Sequence, residues 1–393
     1  MAETVHAESA AVAVAQPGDN TGIDSPSMRA NQALEANEAL EANEAPEANE
    51  TGEEVRLPPR VSPSPQPASI HRSGLSMLAS EDMAEWDALV DGSPQRSLFL
   101  KSWWLKAACG QATVLGYFEG GRLIAGIPLY YERRMGLRVC CMPRLTQTLG
   151  VVIAPCPGKR ATAQSRETEI LDVFAARLAQ EPIFVQAFHP ASDNWLPFHW
   201  RGFTQTTHYT YVLDDLTSLD RLWNDLDRDR RNNIRKARRF GLRVRECGPE
   251  EVSLASQQSF GRQKRSSPYR LEYLQRLYQA ARANDAGICL CAEDWRGRVH
   301  AACFFVWDSA RGYYLAGGQD PAVSSCEGGV LLRWNLIEFA ATRTAVFDFE
   351  GSMHRPIEAS FRSFGGARVG YHRIVRLPRW LRMGLCALGR SSV

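Results

Sequence analysis

The chain has 393 residues, 44% of them hydrophobic, and a formal net charge of +2, which is enough apolar content for two ordinary domains with cores. No run of about 18 apolar residues occurs, and the first residues lack a basic stretch followed by an apolar one, so neither a membrane span nor a secretory leader is expected. The ten cysteines include no Cys-x-x-Cys pair, so free thiols and no metal site are expected.

Residues 1–75 are rich in Ala, Glu, Asn, Pro and Ser, with a near-repeat starting at Glu35-Ala36-Asn37-Glu38 and prolines at Pro46, Pro58, Pro59, Pro63 and Pro65. Such a segment buries too little apolar surface to offset its ordering entropy, so a disordered tail is expected. It holds twelve acidic and four basic residues before Gly74, which leaves the remainder at roughly +10. That body should prefer an anionic partner.

In the first lobe, residues 76–215, a helix entry at 98–105 precedes a β-hairpin, 113–118 and 123–131, around Glu119-Gly120-Gly121. Further strands are expected near 138–141, 151–154, 183–188 and 209–213, with a helix over 165–178. The second lobe, residues 216–377, repeats the hairpin as 288–293 and 299–307, and Gly121-Arg122-Leu123-Ile124-Ala125 is similar to Gly297-Arg298-Val299-His300-Ala301. A strand at Tyr313-Tyr314-Leu315, a helix over 329–341, a strand over 345–349, a short helix over 357–364 and a strand over 367–374 complete it. The fold class is α/β (α+β): two lobes, each a mixed, mostly antiparallel sheet flanked by helices.

Between the lobes, Leu219, Leu222, Trp223, Leu226, Ile234 and Ala237 recur at helical spacing, which predicts one amphipathic helix over 218–240. Arg228, Arg231, Arg235, Arg238 and Arg239 cluster opposite the apolar face, while Arg230 and Asn233 fall within it. The outer stripe is either a solvated charged face or an anion site, since guanidinium forks suit phosphate oxygens and so dense a row repels itself without one. Arg230 needs either a core carboxylate or a ligand.

The segment Phe347-Asp348-Phe349-Glu350-Gly351-Ser352-Met353 places two carboxylates on one face of a strand end. Close carboxylates raise one pKa toward that of a general base, and Gly351 lets the backbone turn and a ligand approach. Capping of the next helix, or pairing with Arg355 and Arg362, is the structural alternative. His354 is a loop histidine for which exposure is the simpler reading.

Residues 231–242 resemble the Arg-x-x-Ile-Arg-Lys-Ala-x-x-x-Gly-Val stretch of FemAB-like proteins and related acetyltransferase domains of the GNAT superfamily. Residues 347–366 are similar to the Asp-Phe-x-Gly-Ser and Phe-(Lys/Arg)-x-x-Phe-Gly pieces of the same family, in the same order. The resemblance covers residues 97–374. It implies two GNAT-like lobes, a donor substrate that is an acyl-CoA or an aminoacyl-tRNA, no tightly bound cofactor, and a hold on substrate phosphates at Arg231. Gly328 and Gly329 open a helix whose backbone N–H groups would suit an anion. The Arg/Gln-x-x-Gly-x-Gly/Ala signature of CoA-binding GNAT enzymes is missing there.

The expected activity is transfer of an acyl or aminoacyl group to an amine or hydroxyl of a phosphate-bearing acceptor, such as a cell-envelope or polysaccharide precursor, in the cytoplasm. Glu350 or Asp348 would act as base and Tyr314 or Tyr371 as proton donor. Arg231, Arg235, Arg230, Asn233, Gly351, Ser352, Gly328 and Gly329 would bind substrate. A non-catalytic module for RNA or anionic lipid is the alternative; tRNA is a candidate partner and DNA is not. The basic end, residues 378–393, with Leu381, Leu385 and Leu388 on one side, would either touch the inner face of an anionic membrane or dock on the protein.

Overall fold

The computed structural model describes residues 72–134, 136–262, 267, 269–351, 353, 355–378 and 380–381, all within one unit, Glu44–Val393. The tail before residue 72, Ser352, His354 and the chain beyond residue 381 lie outside the described residues. Strand β1 (Gly74–Met77) already pairs antiparallel with β2 (Val114–Glu119), so ordered structure begins just before the expected end of the tail. The reason is local: Leu75 has an apolar cluster to pack against.

Helix α1 (Met83–Gly92) buries Trp86, Leu89 and Val90, and the Trp86 indole donates to the Leu100 carbonyl at 2.7 Å. A single 3-10 turn, Leu98–Leu100, is capped by Ser97 and leads into α2 (Ser102–Cys109). The expected first hairpin is β2 with β3 (Arg122–Pro128), followed by β4 (Tyr130–Arg134) and β5 (Leu137–Cys141). Next come β6 (Val152–Ile153), α3 (Arg160–Leu178), β7 (Phe184–Ala187), α4 (Leu196–Trp200) and β8 (Thr204–Leu213).

The helix expected over 218–240 is two helices, α5 (Leu219–Asp225) and α6 (Arg228–Arg239). Leu226 has ψ 142° and Asp227 ψ 144°, both extended, so the chain breaks between them. The break leaves Leu226 buried while Ile234 and Ala237 of α6 reach the same core. It also strands the last carbonyls of α5, which acquire a side-chain partner described below.

The remaining elements are β9 (Arg243–Glu246), α7 (Pro249–Arg262), α8 (Leu271–Ala283), β10 (Gly287–Glu293), β11 (Val299–Trp307), β12 (Arg311–Gln319), α9 (Gly328–Ala340), β13 (Val346–Asp348), α10 (Arg355–Arg362) and β14 (Ala367–Arg376). The β10–β11 hairpin follows the expected register region closely, because its alternate residues feed two opposite cores. Leu290, Ala292, Cys303 and Phe305 face the α9 side; Cys289, Cys291, Phe304 and Val306 face α7 and α8.

The strands form a four-stranded sheet, β1-β2-β3-β6, and a ten-stranded sheet, β4-β5-β7-β14-β8-β13-β12-β11-β10-β9. Both are mainly antiparallel, with parallel pairs at β5/β7 and β12/β13 in the larger sheet. The larger sheet takes strands from both sides of residue 215. Strand β14, from the far end of the chain, lies between β7 and β8, with Ala367–Val375 facing Val212–Thr204. The lobes share core as well: Phe99 and Trp104 sit in one cluster with Leu274, Phe304 and Tyr313.

Among the described residues no helix is long and apolar enough to cross a membrane, and no group of three metal-binding side chains occurs. All nine described cysteines are free. At the C-terminal end, Leu377 and Leu381 pack against Val139, Cys141 and Ile183, so its first turn docks on the protein itself.

Candidate active site

Strand β12 pairs with β13 only over Arg311–Tyr313, opposite Val346–Asp348. Beyond Tyr313, β12 continues along β11 to Gln319, while the chain after β13 bends toward β8, where the Phe349 amide donates to the Tyr211 carbonyl at 3.0 Å. Two parallel strands thus part at their C-terminal ends, the position where sheets of this kind open to ligands. Tyr314 stands on one side of the opening and Glu350 on the other.

The turn after β13 is tightly specified. Glu350 has φ 63° and Gly351 φ 48°, two consecutive left-handed residues. A non-glycine residue held at positive φ is a local cost that structures keep where it aims a side chain. The Glu350 amide donates to Asp348 Oδ1 at 2.7 Å, which fixes the turn. A Cβ on Gly351 would lie 2.2 Å from the Tyr209 carbonyl oxygen. Gly351→Ala is therefore expected to destabilise the protein by roughly 2 kcal/mol or more, read as a fall in the denaturant midpoint; an unchanged midpoint would show that the turn relaxes freely.

Asp348 and Glu350 are close, as expected, but their environments differ. Asp348 is fully buried; it pairs with Arg311 at 3.0 Å and accepts from Thr210 Oγ1, from Gln147 Nε2 at 3.4 Å and from the Glu350 amide. Burial raises its pKa and Arg311 pulls the other way. A carboxylate so fully engaged holds the turn, which leaves Glu350 the more available of the two carboxyls. Glu350 keeps part of its surface open, and among the described residues its carboxylate accepts no hydrogen bond and joins no ion pair. Desolvation, and then the charge of Asp348, push its pKa well above the usual carboxylate range.

Two tyrosines lie near Glu350 or its surroundings, Tyr314 against the α9-side core and Tyr269 in the opposite core. The Tyr314 hydroxyl is pushed up to about 12 by burial, with Arg333 opposing the shift. Tyr269, on the segment before α8, is also pushed up to about 12, mainly by burial and further by the nearby charges of Tyr314 and Glu350. Its hydroxyl shares a 2.8 Å hydrogen bond with Ser256. Both phenols hold their protons at neutral pH and can donate to an oxygen that gains charge.

The other expected residues are placed elsewhere. Tyr371 faces His208 across the β8–β14 ladder, ring centroids 5.8 Å apart. Arg231 is the side chain that caps α5: its Nη1 donates to the carbonyls of Leu226 at 2.6 Å, Asn224 at 2.7 Å and Trp223 at 3.3 Å. It closes the break in the helix through Nη1. Arg235 is exposed, lies over Trp223 at 5.5 Å and donates to Asn232. Asn233 is half-buried on α6. Gly328 and Gly329 are buried rather than open to an anion: a Cβ would meet His300 Cβ and Gln319 Oε1, each at 2.6 Å. The residue before them, Glu327, is itself an acid and occupies the left-handed N-cap of α9. The start of α9 is thus packed and acidic, and does not fit a CoA pyrophosphate. Arg362 pairs with Glu358 at 2.9 Å.

Arg230 does turn inward with Ile234 and Ala237, at the i, i+4 and i+7 spacing of one helix face. Its Nε donates to Ser363 Oγ at 2.7 Å. Tyr269 and Arg333 were missed from the sequence. Arg333 had a visible signal, a lone cation inside the apolar run Gly329-Val330-Leu331-Leu332-Arg333-Trp334; Tyr269 had none, because the helices on either side of it went unpredicted.

The parting parallel strands thus bring a desolvated carboxyl, Glu350, to the end of the sheet near Tyr314 and Tyr269. Residues 228–354 match the acetyltransferase (GNAT) domain family. No curated protein matches the chain. Among solved structures, that of FemX aligns with a TM-score of 0.59 at 12% identity, covering 79% of this chain and 99% of FemX. The C-terminal domain of a putative lysylphosphatidylglycerol synthetase from Agrobacterium fabrum aligns at 0.48 and 12% identity, covering 78% and 95%. A tandem GNAT protein from the clavulanic acid biosynthesis pathway aligns at 0.47 and 12%, covering 77% and 97%. Residues 228–354 thus match the GNAT acetyltransferase domain family, and the fold is similar to that of FemX.

Proposed function

We propose that the chain is an acyltransferase or aminoacyltransferase that joins a thioester or ester donor to an amine or hydroxyl acceptor without a covalent enzyme intermediate. The observation that carries this reading is Glu350: a carboxyl unpaired among the described residues, aimed by a left-handed turn and raised in pKa by burial and then by Asp348. The acceptor nitrogen attacks the donor carbonyl carbon as Glu350 takes one N–H proton. The new C–N bond forms, the donor C–S or C–O bond breaks, and the leaving sulfur or oxygen receives the proton that Glu350 removed, which returns Glu350 to its starting state. Tyr314 and Tyr269 donate hydrogen bonds to the oxygen that carries the developing charge.

The packed start of α9 argues against a donor held in the common CoA manner, which favours an ester-linked aminoacyl donor over acyl-CoA. A cytoplasmic location and a phosphate-bearing cell-envelope acceptor complete the proposal. Mass spectrometry of full-length protein incubated with aminoacyl-tRNAs or acyl-CoAs and amine-bearing envelope precursors tests it. A mass increment on an acceptor, absent with Glu350→Gln, is expected. Ligand retention with no transfer under any donor would overturn the enzyme reading and leave a binding module.

A further inference from the structure

Behind Tyr314, on the face of the sheet covered by α9, α10 and α6, two arginines form no ion pair with a described carboxylate. Arg333 projects from α9 over the rings of Tyr314, at 5.5 Å, and Phe361, at 5.9 Å. Its Nε is buried and has no hydrogen-bond partner. Arg230 reaches the same region from α6, its guanidinium 6.0 Å from the Phe364 ring. Phe349 joins the two floors, 5.3 Å from Phe361 and 5.6 Å from Phe364. Both arginines are half-buried, and neither forms an ion pair with a described carboxylate. Burial lowers the Arg230 pKa and the charge of Arg333 lowers it further, while Glu327, Asp227 and Asp229 oppose the shift in part.

Two like charges in a partly desolvated, aromatic-floored recess destabilise the empty protein, and an orphaned buried N–H adds to the cost. A structural role would call for a carboxylate or a backbone carbonyl, as at Arg231. The fork geometry of guanidinium instead suits the oxygens of a phosphate. The recess borders Tyr314, whose neighbours Tyr313 and Leu315 face the opposite core, so a group held there enters the opening from the α9 and α10 side.

We infer that Arg230 and Arg333 form a phosphate-binding subsite, on the α9–α10 side of the β12/β13 opening, for a phosphate group carried by one of the substrates. The inference rests on the transferase reading only for calling that ligand a substrate; the site itself is tested by binding. Three probes separate the sources of phosphate: inorganic pyrophosphate, CoA, and a short RNA stem ending in CCA.

Calorimetric titration of the full chain is expected to show salt-sensitive binding of at least one probe. Arg333→Gln and Arg230→Gln should each weaken it at least tenfold, Arg296→Gln on an exposed loop less than twofold, and Glu350→Gln less than twofold. Without ligand, Arg333→Gln should melt at or above the wild-type temperature, because it removes one of two repelling charges. Equal binding by wild type and Arg333→Gln, no binding of any probe, or a clear fall in melting temperature with binding retained would overturn the subsite. Loss of turnover in Glu350→Gln with its binding intact bears on the proposed chemistry alone.

Discussion

Replacing Glu350 by Gln should lower kcat by about 10²–10⁴-fold, the usual contribution of a positioned general base, with little change in substrate affinity. The substitution keeps size and removes only the group that takes the proton. In the wild type, kcat/KM should climb with pH through a pKa above the ordinary carboxylate range, because below it Glu350 is protonated and accepts nothing. The acid limb should vanish in the variant. Stability follows the opposite direction: a carboxyl whose pKa is raised on folding binds its proton more tightly in the folded state, so stability declines as pH rises from the unfolded toward the folded pKa. Glu350→Gln removes that decline and should melt higher than wild type at neutral pH, by about 2 °C or more if the relief reaches roughly 1 kcal/mol. Turnover within twofold of wild type would sink the base assignment.

Arg311→Met should destabilise the protein by about 3–5 kcal/mol, the effect of removing one partner from a buried pair. Asp348 is fully buried, Arg311 is 21% exposed, and their oxygen and nitrogen are 3.0 Å apart, so the carboxylate left behind has no other ion-pair partner among the described residues. Adding Asp348→Asn should recover part of the loss, since the double change leaves no buried net charge; strict additivity of the two unfolding free energies would show the pair to be uncoupled. Asp348→Asn alone should also move the acid limb of kcat/KM to lower pH, because the Asp348 charge is one of the two causes that raise Glu350.

These predictions turn on residues that differ in how legible they were. Asp348 and Glu350 were readable as a close pair because strand alternation and the following glycine are local properties. Which of them stays available was not readable, since Arg311, Thr210 and Gln147 arrive from three distant segments. The hairpin strands β10 and β11 were legible from their continuous apolar runs. The contacts of Arg231 were not readable because its partners are backbone carbonyls freed by a break at Leu226, and nothing in side-chain periodicity shows where a helix interrupts itself. Helix α7 was missed because polar residues dilute its apolar stripe; the stripe Leu271, Leu274, Leu277, Tyr278 and Ala281 of α8 was legible at helical spacing and was overlooked, and Tyr269 with it.

The placement of β14 has a consequence for how the molecule comes into being. During synthesis, β7 and β8 emerge more than 150 residues before residues 367–376, the strand that must slot between them. Until that strand leaves the ribosome, two adjacent edges in the middle of the large sheet stay unpaired, so the N-terminal half cannot finish folding first, unlike chains whose domains complete in order. Truncation before Ala367 should therefore yield an aggregating product rather than a shortened but ordered one.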